Sequence, residues 1–281
     1  MKNRPHVYTE KNKKDYLKTG KQLLNGEVNL YVTFIIGTAG SGKSLLVSSF
    51  SDWLKLKKQN VITVNLDPGV VNTPYAPDVD VRELISIDEL MDKYELGPNG
   101  ALIMAADLIA TEIDSIKREI EDFNADYVLV DTPGQMELFA FRASGPYIVN
   151  ELTTDPKALM YLFDSAFSAD PLNYVSNMFL ATAVYTRFLI PQLYVLSKTD
   201  LIPKKDVKKI LDWGTKTGAL EQAIDENLSE TRRLLSRGIM RLIPNIGLSL
   251  SLIPISSTKE QGFINLHAVL MRIFAGGEEV I

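Results

Sequence analysis

The residues with the clearest chemical meaning lie at positions 37–44, where the sequence reads GTAGSGKS. They satisfy the pattern G-x-x-x-x-G-K-[ST], in which a glycine-rich loop turns its backbone N–H groups towards phosphate oxygens. In such a loop we expect Lys43 to reach the β- and γ-phosphates and Ser44 to ligate Mg²⁺. The predicted nucleotide-binding residues are Gly37, Thr38, Ala39, Gly40, Ser41, Gly42, Lys43, Ser44 and the next position, Leu45.

A second polar stretch, DTPGQ, occupies residues 131–135 directly after an apolar run. An acid at the carboxyl end of a parallel strand lies at the edge of the sheet where ligands bind. Asp131 is predicted to hold Mg²⁺ through a water, and the backbone N–H of Gly134 to contact the γ-phosphate. Gln135 stands where a side chain could position the attacking water, and a polar residue that starts a helix explains it equally well.

Asp67 ends a third apolar run and is expected at the same edge of the sheet. A carboxylate there can bind a water of the magnesium ion or orient the nucleophile. Lys43, Asp67 and Gln135 are therefore candidate catalytic residues. The alternative for Asp67 is a structural role, in which its side chain only caps its own loop.

The stretch SKTD at residues 197–200 resembles the guanine motif NKxD, with serine in place of asparagine. The Asp200 carboxylate can accept hydrogen bonds from both N1–H and the exocyclic amine of guanine, a pair that adenine lacks. The stem of Lys198 can lie over the base. The serine weakens the motif, because the asparagine amide normally ties neighbouring loops together. The later stretch Ile255-Ser256-Ser257, again after a strand, could offer a backbone N–H to the guanine oxygen.

The elements that must position these residues alternate between strands and helices. Continuous apolar runs indicate parallel strands covered by helices on both faces, so we predict a doubly wound, mostly parallel α/β sheet. The predicted strands are Tyr31–Ile36, Val61–Leu66, Tyr127–Val130, Ala158–Phe163, Gln192–Leu196 and Leu250–Ile255. The predicted helices are Lys43–Lys57, Gly100–Phe123, Glu137–Glu151, Pro171–Leu189 and Thr215–Leu242.

The domain organisation follows from the lengths between strands. Residues 203–249 separate two predicted strands, and their sequence is typical of helices throughout. This segment is longer than one crossover connection requires, so we predict a helical insert. It either packs on the body of the domain or forms a lid or partner groove. We expect an N-terminal extension over 1–27 and a single nucleotide-binding domain over 28–281.

Composition narrows the possible functions. The chain has 281 residues, a formal net charge of −5 and no cysteine, which excludes disulfides, cysteine-ligated metals and thiol catalysis. The mild acidity argues against a dedicated nucleic-acid binder. The sequence contains no run of 18 apolar residues, so no membrane span is predicted. No signal peptide is evident either, and a cytoplasmic location is expected.

With these motifs in place, Gly97-Pro98-Asn99 becomes informative, and the sequence resembles the archaeal and eukaryotic GPN-loop GTPases, which are P-loop GTPases of the SIMIBI class. The matching stretches are GTAGSGKS, VNLDPG, DVRELI, GPNGA, DTPGQMELF, DPLNYVSNMFLATA and VLSKTD, spread over residues 30–275. The resemblance implies Mg²⁺-dependent hydrolysis of GTP to GDP and phosphate. It also implies a homodimer that switches conformation with the nucleotide, in which the loop carrying Asn99 acts in trans as a further catalytic element.

Two other functions stay open at this point. A P-loop kinase would transfer the phosphate to a small molecule, with the helical insert as its lid, but it would have no use for SKTD. A nucleotide-gated assembly factor would use GTP only to set its shape. The family resemblance favours a role in assembling a larger complex with a protein client, which the sequence does not identify.

Overall fold

The computed structural model describes residues 30–216, 218–227 and 251–276. In this part of the chain, seven parallel strands form one sheet in the order β3-β2-β4-β1-β5-β6-β7. The strands are β1 (Tyr31–Gly37), β2 (Val61–Asn65), β3 (Val79–Asp80), β4 (Tyr127–Asp131), β5 (Lys157–Asp164), β6 (Gln192–Ser197) and β7 (Leu252–Pro254).

Helices cover both faces of this sheet. They are α1 (Lys43–Leu56), α2 (Ile87–Tyr94), α3 (Pro98–Thr111), α4 (Ile113–Asp122), α5 (Met136–Ala140), α6 (Ser144–Glu151), α7 (Ser165–Ser168), α8 (Pro171–Phe188), α9 (Lys204–Thr215), α10 (Ala219–Asn227) and α11 (Phe263–Phe274). Short 3₁₀ helices occupy Val81–Glu83 and Thr199–Leu201. Among the described residues, no helix combines the length and hydropathy needed to cross a membrane.

The central strands are buried on both sides, as their continuous apolar sequences predict. Successive side chains of a strand point to opposite faces, so Phe34 and Ile35 of β1 enter different apolar cores. Helices α1 and α11 complete the core around Ile35, and α3, α4 and α8 complete the core around Phe34. This two-sided burial confirms the doubly wound α/β fold.

Three of the predicted helices differ from the structure. The stretch 100–123 is two helices that meet at Glu112, after Thr111 turns its hydroxyl back to the carbonyl oxygen of Leu108. The stretch 137–151 belongs to two helices, α5 and α6, separated by Phe141–Ala143, and Gly145 near the start of α6 lies so close to α5 that a Cβ atom there would be 1.7 Å from the carbonyl oxygen of Phe139. The predicted start at Thr215 is also wrong, because α9 ends there and α10 begins four residues later.

Several elements were not predicted. The two-residue strand β3, helix α2 and helix α11 have no counterpart in the sequence-based assignment. The described part of the predicted insert holds α9 and α10. Its remainder, residues 228–249, and the predicted N-terminal extension, 1–27, lie outside the described residues.

Candidate functional site

The predicted phosphate loop lies between β1 and α1, at the carboxyl edge of the sheet. Gly37 ends β1, and Gly40 and Gly42 have φ angles of 74° and 95°, a left-handed conformation that favours glycine. Gly37 has a packing role, since a Cβ atom there would lie 2.8 Å from Oγ of Ser41. Helix α1 starts at Lys43, so its N-terminal N–H groups face the loop, an arrangement that favours anions. Leu45 is an exposed apolar side chain on this helix.

Lys43 is buried inside this loop. Its Nζ donates to the carbonyl oxygens of Gly37 at 3.0 Å and Thr38 at 3.2 Å. Burial lowers the pKa of Lys43, and the nearby carboxylates of Asp131 and Asp67 oppose that shift. The ammonium group is thus held at the loop, with acidic groups close by, where the sequence predicts a phosphate-binding lysine.

Asp131 ends β4 beside the loop and is 2% exposed. Burial raises its pKa to about 6, against the opposing effects of hydrogen bonds from Ser44 and Tyr75 and the charge of Lys43. Its Oδ2 accepts from the hydroxyl of Tyr75 at 3.1 Å, while its buried Oδ1 has no hydrogen-bond partner among the described residues.

These residues fit Mg²⁺. An unpartnered buried carboxylate oxygen next to the Ser44 hydroxyl is a hard oxygen donor set of the kind that Mg²⁺ prefers. Across the described ranges, no group of three or more His, Asp or Glu side chains could form a full protein cage for a metal. Mg²⁺ that is shared with phosphate oxygens and waters does not need one.

Asp67 joins two loops of the site. Its Oδ1 accepts from the backbone N–H of Gly69 at 3.0 Å, and its Oδ2 accepts from the N–H of Gly134 at 2.8 Å. The N–H predicted for the γ-phosphate is therefore occupied by Asp67 in this structure. The carboxylate caps its loop, as the structural alternative predicts, and it still lies at the edge of the sheet required for a catalytic role.

A polar network that the sequence analysis missed supports the Asp67 loop. Asn65 donates to the carbonyl oxygen of Asp67 at 3.2 Å and to Asp80 Oδ1 at 2.9 Å. Arg82 binds both oxygens of Asp80 and donates through Nη1 to the carbonyl oxygens of Val70 and Val71. Because its guanidinium is engaged by its own loop, Arg82 is a support for the site and not an arginine finger.

A cavity of about 200 Å³ separates the phosphate loop from helix α3. Asp67, Gly134 and Gln135 line this cavity, together with Leu102 of α3. Gln135 is exposed at the N-terminus of α5, and its side chain makes no capping hydrogen bond. The structure therefore brings both candidates for positioning water, Asp67 and Gln135, to one cavity.

The predicted base-reading loop is tied directly to the phosphate loop. Ser197 at the end of β6 donates through Oγ to the carbonyl oxygen of Ser41 at 2.8 Å, and Phe163 O lies 3.2 Å from the same Oγ. Serine thus provides the link between loops that we expected the missing asparagine to supply. Lys198 reaches in the same direction, with Nζ donating to the carbonyl oxygen of Gly40 and lying 2.7 Å from Asp164 Oδ2.

Asp200 lies beyond this link, in the 3₁₀ helix after β6. Hydrogen bonds from Ser256 and Thr258 lower the pKa of its carboxyl, and the Thr258 hydroxyl donates to Oδ2 at 3.1 Å. The loop that contacts Asp200 is therefore the one that carries Ser256 and Ser257, which the sequence predicts to help read the base. The N–H of Ile255 donates to the carbonyl oxygen of Leu196 and that of Ser256 to the carbonyl oxygen of Gln261, so within the predicted stretch the N–H of Ser257 is the candidate for the guanine oxygen.

The tripeptide Gly97-Pro98-Asn99 starts helix α3. Gly97 is the N-cap, Pro98 occupies the first helical position, and all three residues are exposed. One turn later, α3 packs against the Asp67 loop so closely that a Cβ atom on Gly69 would lie 2.5 Å from Cδ2 of Leu102. The exposed tripeptide is thus attached to α3, which borders the cavity lined by Asp67 and Gln135; we call this space the phosphate cavity.

Comparison with known proteins identifies relatives of this chain. A family model described as "Conserved hypothetical ATP binding protein" matches residues 35–276. GPN-loop GTPase 3 of Schizosaccharomyces pombe is 30% identical over 237 residues, which cover 81% of this chain and 85% of the relative.

The chain belongs to the GPN-loop GTPase family. GPN-loop GTPase 1 of Saccharomyces cerevisiae is 32% identical over 79% of this chain, which spans 58% of the length of that relative. The crystal structure of a GTPase in apo form from Pyrococcus abyssi has a TM-score of 0.77 and 28% identity, covering 89% of this chain and 99% of that one. Residues 97–99 of this chain read Gly-Pro-Asn and stand at the start of α3.

Proposed function

We propose that this protein is a Mg²⁺-dependent GTPase that binds GTP and hydrolyses it to GDP and phosphate. One observation carries the proposal: the base-reading loop is hydrogen-bonded to the phosphate loop through Ser197 and Lys198. The two sites are therefore held at a fixed separation at one edge of the sheet, as recognition of a single nucleotide requires.

Guanine is favoured over adenine by the chemistry of Asp200. A carboxylate whose orientation is supported by Thr258 can accept two hydrogen bonds from the guanine edge, and adenine would leave it unpaired. The matching family model is described as ATP binding, whereas the relatives are named GTPases. The Asp200 carboxylate supports guanine, because the phosphate loop alone does not distinguish the two bases.

In the proposed mechanism, the backbone N–H groups of residues 37–44 surround the phosphates, and Lys43 exchanges its bonds to Gly37 and Thr38 for phosphate oxygens. Ser44, and Asp131 through a water, would hold Mg²⁺, which would supply positive charge to the phosphate oxygens. The N–H of Gly134 leaves Asp67 and binds the γ-phosphate. Asp67, once released, and Gln135 then border the space for the attacking water.

Phosphate release from GTP with no acceptor present tests this function. We expect steady release that requires Mg²⁺ and stops in EDTA. A P-loop kinase, the alternative function, would release little phosphate until a small-molecule acceptor is added. Absence of hydrolysis under all conditions would favour the remaining alternative, a nucleotide-gated assembly factor.

We also propose a homodimer in which Asn99 acts in trans. The exposed GPN tripeptide stands at the start of a helix that borders the phosphate cavity, so it is accessible to a second copy. An asparagine amide can donate to a γ-phosphate oxygen or hold the attacking water. Because the amide is uncharged, it stabilises the transition state less than an arginine finger, and turnover should be slow.

Replacing Asn99 with alanine is expected to preserve GTP binding and to slow hydrolysis by about 100-fold, the usual effect of removing one transition-state donor. Single-turnover hydrolysis and equilibrium binding measure the two quantities separately. Asn72→Ala is the control, since Asn72 is another exposed asparagine. A normal rate in Asn99→Ala would refute the catalytic role of the tripeptide.

The trans arrangement can be tested by mixing two variants that each hydrolyse GTP poorly or not at all. Asn99→Ala keeps an intact phosphate loop, and Lys43→Ala keeps an intact GPN tripeptide. A mixed dimer would therefore contain one complete site, and mixing should restore hydrolysis. No recovery, when exchange of subunits has been demonstrated, would contradict action in trans.

Nucleotide-dependent closure of this dimer would make the protein a conformational switch, and we propose that the switch serves assembly of a larger complex with a protein client. We place the protein in the cytoplasm and propose neither a membrane nor a nucleic acid as its partner. The predicted insert, of which α9 and α10 are described, is a proposed part of the same domain.

A further inference from the structure

The buried carboxylate of Asp131 has one partner that no motif includes. Tyr75, in the loop between β2 and β3, donates its hydroxyl hydrogen to Asp131 Oδ2 at 3.1 Å. The two residues are 56 positions apart in the chain. Because Oδ1 of Asp131 has no partner in the described part of the chain, the Tyr75 bond leaves that oxygen for another ligand.

Two hydrogen bonds hold the backbone of the loop that carries Tyr75. The Thr73 hydroxyl donates to the carbonyl oxygen of Tyr75 at 2.7 Å, and Ser48 of α1 donates to the carbonyl oxygen of Pro74 at 3.3 Å. The ring itself packs against the apolar core around α1. These contacts hold the Tyr75 ring in a position from which its hydroxyl reaches Asp131.

We propose that Tyr75 is a positioning residue for the magnesium site. By holding Oδ2, it fixes the rotation of the Asp131 carboxylate so that Oδ1 faces the position of the metal-bound water. Without this bond, only the Ser44 hydrogen bond and the charge of Lys43 are left to orient the carboxylate. Partners that orient metal-binding groups commonly change metal affinity when removed. This inference rests on the proposed function as a Mg²⁺-dependent GTPase.

The variant Tyr75→Phe removes the hydroxyl and keeps the ring. Dissociation of mant-GDP is measured at increasing concentrations of MgCl₂ and in EDTA. We expect the half-saturating Mg²⁺ concentration to rise about tenfold, with the dissociation rate in EDTA unchanged. The EDTA rate is the readout that separates positioning of the metal from general damage, which would speed dissociation in both conditions.

Tyr174→Phe is the matched control. Tyr174 is fully buried, and its hydroxyl has no hydrogen-bond partner among the described residues, so this variant removes an equivalent hydroxyl away from Asp131. It should retain the wild-type Mg²⁺ dependence. An equal shift in both variants, or no shift in Tyr75→Phe, would overturn the role of Tyr75 and leave the proposed GTPase standing. Absence of any Mg²⁺ dependence in the wild-type protein would overturn both.

Discussion

Replacing Lys43 with alanine is expected to weaken guanine-nucleotide binding by at least about 100-fold and to abolish hydrolysis. The ammonium group is buried in the phosphate loop and is positioned by the carbonyl oxygens of Gly37 and Thr38. Its removal leaves the phosphate charge without its main side-chain counterion in this loop. Titration of mant-GDP measures the loss of affinity, and phosphate release measures the loss of turnover.

The design of this experiment must exclude misfolding. A buried ammonium is costly to desolvate, and burial lowers the pKa of Lys43 accordingly, so its loss should not greatly lower the melting temperature of the nucleotide-free protein. Lys208→Ala on α9 removes an exposed lysine and should behave as wild type. Near-normal nucleotide affinity in a folded Lys43→Ala protein would refute the assignment of the phosphate site.

Replacing Asp200 with asparagine is expected to reduce GDP affinity by about 100-fold or more and to relax or reverse the preference for guanine. The amide offers one acceptor where the carboxylate offered two, and its NH₂ group faces the exocyclic amine of guanine. Xanthine carries a carbonyl oxygen at that position and can accept from the amide, so XDP should bind the variant better than GDP does. Competition of GDP, XDP and ADP against mant-GDP measures the order.

Asp114→Asn provides the control for the change in charge, because Asp114 is an exposed acid in the first turn of α4. It should leave the order of affinities unchanged. Unaltered discrimination between guanine and adenine in Asp200→Asn would contradict the base-reading role of this carboxylate. The supporting Thr258 hydroxyl would then have only a structural function.

The strands and the phosphate loop could be predicted because their signals are local. An apolar run such as that of β5 is buried on both faces, and the glycines, lysine and serine of the loop are contiguous in sequence. Helix breaks were harder to predict, because their causes lie in packing. The break between α5 and α6, for example, goes with the close packing of Gly145 on the Phe139 carbonyl, which periodicity does not reveal.

Contacts between distant residues explain what the sequence analysis missed in the site. Ser197 and Ser41 are 156 positions apart, so only the structure shows that a serine hydroxyl links the two loops. The sequence also carries no local pattern that connects Tyr75 with Asp131. Sequence motifs therefore predict the groups proposed to touch the nucleotide, whereas the residues that hold those groups depend on strand order.

The central claim is that this site hydrolyses GTP in preference to ATP, and it is tested most directly by phosphate release from each nucleotide at equal concentrations with Mg²⁺. We expect slow phosphate release from GTP without any acceptor, and a kcat/KM for ATP that is lower than that for GTP by about 100-fold or more. Equal rates with GTP and ATP, or release from ATP alone, would contradict it.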